Sequence, residues 1–113
     1  MQPEDRIRIQ HMSDACASVA RFLAGRQRAD LDQDEMLCFA LTRAIEIIGE
    51  AASRVSTEAR SALPQVPWKE VTAMRNRLVH AYFDIDLDIL WRTATQAVPE
   101  LLDKLAPHPG CKC

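Results

Sequence analysis

Met36-Leu37-Cys38-Phe39-Ala40-Leu41-Thr42-Arg43-Ala44-Ile45-Glu46-Ile47-Ile48-Gly49-Glu50-Ala51-Ala52-Ser53-Arg54-Val55 places Leu37, Leu41, Ala44, Ile48, Ala51 and Val55 at alternating steps of four and three. That spacing is the apolar seam of an α-helix. Met36, Ala40 and Ile47 widen the apolar face beyond one seam, so the helix is expected to touch more than its own bundle. Asp30 or Asp32 is expected to cap its start. Gly49, with Ala52 and Ser53 nearby, is either tolerated or used for close packing, since glycine inside a helix costs about 1 kcal/mol against alanine. Glu50 and Arg54 stand four apart in the favourable order and are expected to form a solvated pair.

The pattern continues on both sides. A first helix is expected from about Glu4 to Ala24, stopped by Gly25, with Ile9, Met12, Cys16, Val19 and Leu23 facing inward. Downstream, Ser56-Thr57-Glu58-Ala59 opens a short helical turn ending at Leu63-Pro64. Pro67 then restarts the chain near a first helical position, and Trp68 reads as a plug at the bundle end. A third helix runs from about Trp68 to Ala81 or Phe83. The acids Asp84, Asp86 and Asp88 read as N-terminal charges on a last helix, whose seam is Leu87, Leu90 or Trp91, Ala94, Val98, Leu101 and Leu105. Pro99 is expected to bend it. The expected fold is all-α, an antiparallel bundle of four or five helices over residues 1–106, with 107–113 a flexible tail.

Composition agrees with that class. In 113 residues, 48% are hydrophobic and only three are glycine, which suits one helical domain. No apolar run is long enough to span a bilayer and no signal pattern opens the chain, so a cytoplasmic protein is expected. The net charge of −2 speaks against an extended electrostatic nucleic-acid binder, but 11 of the 14 basic residues are arginine and a local groove can still be positive. Cys16 and Cys38 fall on or near apolar faces, where thiols act as small hydrophobes. Cys111 and Cys113, with His108, close a tail that offers three candidate metal ligands and no fourth. No cofactor is expected.

The chemistry concentrates in Met74-Arg75-Asn76-Arg77-Leu78-Val79-His80-Ala81-Tyr82-Phe83. Arg75 offers a planar fork of donors suited to phosphate oxygens, and His80 exchanges protons near neutrality. On a helix, Val71, Met74 and Leu78 share one stripe, whereas Asn76 and His80 point away from it. Arg75 lies well round the helix from His80. The two meet only if the arginine bends across, the helix loosens, or a second subunit supplies one of them. By itself, His80 reads as a helix C-terminal histidine favoured by the dipole, Arg75 as an ion-pair partner, and Arg77 as a surface or phosphate-positioning residue.

Arg75-Asn76 followed by His80 resembles the HEPN signature of metal-independent ribonucleases, and Tyr82 makes the stretch similar to the HepT branch, toxins paired with a MntA-type nucleotidyltransferase antitoxin. The likeness extends through Ile47-Ile48-Gly49-Glu50-Ala51-Ala52, Leu63-Pro64, Pro67-Trp68, Ile85-Asp86, Trp91 and Pro99-Glu100-Leu101. It implies a HEPN-type bundle dimerising through the motif-bearing helix, and an endoribonuclease with Arg75, His80 and Asn76 catalytic. RNA, possible targets being tRNA or mRNA, and the antitoxin are the implied partners, with a hetero-oligomer beyond the homodimer allowed. Tyr82 is the implied site of AMPylation. The competing expectation is a non-catalytic helical partner or nucleotide-binding module of a nucleotidyltransferase, which the acidic net charge favours.

Overall fold

The computed structural model describes residues 1–79 and 86–105, and for Arg75, Arg77, Leu78 and Val79 the description is of the backbone. The tail 107–113, with His108, Cys111 and Cys113, and the residues His80 and Tyr82 lie outside the described residues. Those described form helices α1 (Pro3–Leu23), α2 (Asp30–Gln33), α3 (Glu35–Ser53), α4 (Thr57–Ala62), α5 (Trp68–Val79), α6 (Leu87–Arg92) and α7 (Val98–Leu105), with a π-helical turn at Thr93–Ala97 joining the last two.

Long-range hydrogen bonds fix the topology. Asp5, near the start of α1, accepts from the Ser56 N–H and hydroxyl at 2.8 and 2.7 Å, just beyond the end of α3. Packed against each other, α1 and α3 therefore run antiparallel. Trp68, opening α5, donates its indole N–H to the Arg60 and Leu63 carbonyls at 3.2 and 3.1 Å, so α5 starts at the α3 C-terminal end and returns along α3. Arg28, in the α1–α2 connection, reaches Asp88 of α6 at 2.8 Å, and Gln65 donates to the Lys104 carbonyl at 3.3 Å. The last helical run thus descends beside α5. The result is an up-down-up-down bundle of four long elements, α1, α3, α5 and α6–α7.

α3 occupies the centre because its apolar arc is the widest. Leu41, Ile45 and Ile48 are fully enclosed, and Leu37, Ala44, Ala51 and Val55 join them in one core with Ile9, Met12, Cys16, Val19, Leu90, Val98 and Leu105. Each fully buried aliphatic side chain contributes about 1.5–3 kcal/mol. Gly49 is buried on the same helix. Gly25 ends α1's last turn with φ +74°, a left-handed conformation that favours glycine.

Three details differ from the sequence expectation. First, Asp34, not Asp30 or Asp32, caps the central helix. Its carboxylate accepts from the Leu37 N–H at 3.0 Å while pairing with Arg26 at 3.0 Å, and the Leu37 amide bond holds its carboxyl below the ordinary value. Asp30 instead accepts from the Gln27 N–H at 2.6 Å, closing the preceding turn. Second, Glu50 pairs with Arg43 at 3.6 Å, not with Arg54. Third, Met36 is 82% exposed, while Ala40 and Ile47 are half-buried. Phe39, 59% exposed, extends that uncovered surface.

Pro99 is absorbed without interrupting the last run. A proline ring removes an N–H and crowds the preceding turn, and here the turn N-terminal to it widens into the π segment Thr93–Ala97. Thr93 and Thr95 support that turn by donating to the Ile89 and Trp91 carbonyls, both at 2.7 Å. Of the two residues offered for the seam, Leu90 is fully buried and Trp91 half-buried. At the head of this run Asp86 caps α6, accepting from the Asp88 and Ile89 N–H groups at 3.0 and 3.1 Å.

The Asp5–Ser56 contact carries a pH consequence. Asp5 is 4% exposed, and its bond from the Ser56 amide, ahead of that from the hydroxyl, holds its carboxyl below the ordinary 3.8. Because the unfolded chain takes up the proton first, the contribution is complete above the unfolded value and is lost as pH falls through the folded one. Asp5→Asn is expected to lower the melting temperature by several degrees at pH 7 and to flatten the acid limb below pH about 4. Thermal melts across pH 2.5–7 check this, and parallel curves for both proteins would discard it.

Candidate active site

The motif-bearing helix is held at one end and along one face. Trp68 is a 9%-exposed anchor at its start, and Val71 and Met74 bury against the core. Lys69, Glu70 and Asn76 are exposed and Thr72 and Ala73 half-buried. Asn76 therefore faces outward as the spacing implies, on a helix whose opposite side is fixed. The Arg75 and Arg77 backbones continue α5; their side chains, with His80 and Tyr82, are outside the described residues.

Topology puts the C-terminal end of α5 at the end of the bundle where α3 begins, which is also the end that exposes Met36 and Phe39. A small cavity of about 110 Å³ between α5 and α7 is lined by Glu70, Val71, Met74 and Lys104 among others. A wider, open one of about 520 Å³ is lined by Ile89, Arg92, Thr93, Gln96, Ala97 and Glu100. Ala97 and Glu100 line both, so the two adjoin across the last helical run. Arg92, Thr93 and Gln96 were not singled out from the sequence. Their signal was the polar face of the last helix, which periodicity alone assigns to solvent.

Among the described residues, no three or more His, Cys, Asp or Glu side chains gather in a way that could hold a metal ion. Cys16 and Cys38 are free and buried; burial pushes the Cys16 thiol up to about 12 and raises that of Cys38. Both thus act as packing groups. No described helix is long and apolar enough to cross a membrane.

An all-α up-and-down bundle carrying Arg75-Asn76 near the end of its third long helix is a helical domain of the HEPN class. Residues 12–107 match the family model described as ribonuclease HepT-like. A protein of Thermococcus cleftensis named "Probable ribonuclease HepT" is 41% identical over 71 residues, 63% of this chain and 64% of that protein. "Putative RNase TTE0752" of Caldanaerobacter subterraneus subsp. tengcongensis is 36% identical over 93 residues, 82% of this chain and 83% of that protein. No solved structure matches. The chain belongs to the HepT-like ribonuclease family.

Proposed function

We propose that the protein is the toxin of a type VII-like toxin–antitoxin pair, an endoribonuclease that cleaves RNA without a metal. The ribose 2′-hydroxyl attacks the adjacent phosphorus as the bond to the 5′-oxygen breaks, leaving a 2′,3′-cyclic phosphate and a free 5′-hydroxyl. His80 takes or gives the proton. Arg75 stabilises the charge growing on the phosphate oxygens. Asn76 hydrogen-bonds the substrate or holds His80 in one tautomer, and Arg77 positions a neighbouring phosphate. The observation that carries this reading is an exposed Asn76 on a core-anchored helix bearing the Arg75-to-His80 spacing, in a chain of this family. Arg92 and Gln96, in the open depression that adjoins the α5–α7 cavity, support an RNA path over the last helical run.

The active unit in this reading is a homodimer pairing α5 across a two-fold axis. Half-buried Thr72 and Ala73 permit close approach, and the uncovered Met36 and Phe39 at the same end supply apolar area. Light scattering at micromolar concentration is expected to give twice the 12.7 kDa chain mass; a monomer contradicts the arrangement. A MntA-type nucleotidyltransferase, the cognate antitoxin, attaches AMP to the Tyr82 hydroxyl, adding bulk and negative charge to a cleft built for phosphate. Larger hetero-oligomers with it are part of the proposal.

The test is cleavage of RNA by the purified protein in EDTA, before and after incubation with the nucleotidyltransferase and ATP. The expected results are cyclic-phosphate ends before, and loss of cleavage with an AMP adduct on Tyr82 after. The acidic net charge favours the rival reading, a non-catalytic partner of the nucleotidyltransferase. That reading gains if the unmodified dimer binds the enzyme yet leaves RNA intact.

A further inference from the structure

Away from the motif helix, the seam between α1 and the C-terminal half of α3 carries an open depression of about 110 Å³ lined by Arg8, His11, Ile47, Glu50, Ala51 and Arg54. Arg8 and His11 come from the first turns of α1, and Arg54 is the residue that closes α3. Among the described residues Arg8 and Arg54 make no ion pair, unlike Arg26, Arg28 and Arg43. The one carboxylate in the lining, Glu50, is engaged by Arg43 at 3.6 Å. Two guanidinium groups and an imidazole thus converge on a small depression in a chain whose net charge is −2. The last turn of α3 is already satisfied: the Arg54 N–H bonds the Ala51 carbonyl and Arg60 takes the Ala52 carbonyl at 2.9 Å. The Arg54 guanidinium is therefore not needed to cap the helix.

We infer that Arg8, His11 and Arg54 form a phosphate-binding exosite that grips the RNA backbone at a distance from the scissile linkage. The depression is large enough for a phosphate-sized anion. Ile47 and Ala51 form an apolar floor that weakens competing water, and the guanidinium forks supply the charge-assisted bonds that phosphate oxygens accept. The exosite rests on the ribonuclease reading for its ligand, but its binding can be measured without catalysis.

The experiment uses the full-length dimer carrying His80→Ala, with and without Arg8→Gln and Arg54→Gln together. Binding of an unstructured fluorescent RNA is followed by anisotropy from 50 to 300 mM salt. The expected result is weaker binding and a salt slope shallower by about 0.7 for each single-strand phosphate that is no longer neutralised. Arg8→Lys with Arg54→Lys should keep most of the slope, because charge is retained. In the catalytically intact protein the Gln pair should raise KM for a long RNA while leaving kcat unchanged, and should leave cleavage of a dinucleotide untouched. An unchanged salt slope in the Gln variant overturns the exosite even if cleavage persists. So does a variant that binds RNA normally but loses the nucleotidyltransferase, which would reassign the cluster to an acidic protein surface. Absence of cleavage in every protein, with the slope change present, overturns only the nuclease reading.

Discussion

His80→Ala is expected to lower RNA cleavage by about 10²–10⁴-fold, the range that a positioned general acid or base supplies, with no change in melting temperature. The stability half follows from helical spacing, which turns His80 away from the Val71 and Met74 stripe that packs into the core. Arg75→Ala should cost roughly 10²–10³-fold by removing charge stabilisation at the phosphate. The double variant should fall little further, because groups acting on one transition state are not additive. The pair of variants also tests which subunit supplies each group. Should Arg75 of one protomer meet His80 of its partner, mixed dimers of His80→Ala and Arg75→Ala chains each regain one intact site, roughly a quarter of all sites in a random mixture. If both groups come from one chain, mixing restores nothing. A folded His80→Ala protein with full activity removes the assignment altogether.

How much was legible depended on the range of the interaction. The seams of α1, α3 and the last helix could be read because a buried face repeats every three or four residues wherever the helix packs. Ile9, Met12, Cys16 and Val19, then Leu41 and Ile48, sit where that period puts them. The cap of α3 could not be read, because Asp30, Asp32 and Asp34 are chemically equal and only the turn geometry of α2 selects Asp34. Glu50 likewise had two cations within reach along the helix, and Arg43 holds it. Asp5 and Arg60 carried no sequence signal for a different reason. Asp5's partner, Ser56, is 51 residues away, and no local pattern encodes such a contact. The motif is the reverse case: Asn76 was placed outward from helical spacing alone and is exposed. The proposed pairing of Arg75 with His80 would depend on contacts between elements or chains, which spacing does not contain.

Arg60→Ala is the substitution that should most disturb stability while leaving the proposed chemistry alone. Its guanidinium donates from Nε to the Val55 carbonyl at 3.1 Å and from Nη2 to the Ala52 carbonyl at 2.9 Å, and its Cζ lies 5.7 Å from the Trp68 ring centroid. One cation thus satisfies carbonyls at the C-terminus of α3, where the helix dipole favours positive charge, and packs on the residue that starts α5. Each charge-assisted bond is worth about 1.5–3 kcal/mol and the ring contact about 0.5–1 kcal/mol. Because Arg60 is half-buried, water recovers part of this, and the net loss should be about 2–3 kcal/mol. For a domain of this size that corresponds to a fall in melting temperature on the order of 10–20 °C. Arg60→Lys should recover less than half, since an ammonium cannot span two carbonyls and stack on the indole with one planar group. Below its transition the Ala variant should still cleave RNA, the mirror image of His80→Ala. A loss under about 0.5 kcal/mol in chemical denaturation, the level of an ordinary surface substitution, would show that water caps α3 as well as Arg60 does. Lost cleavage at full stability would instead place Arg60 in the path of the RNA.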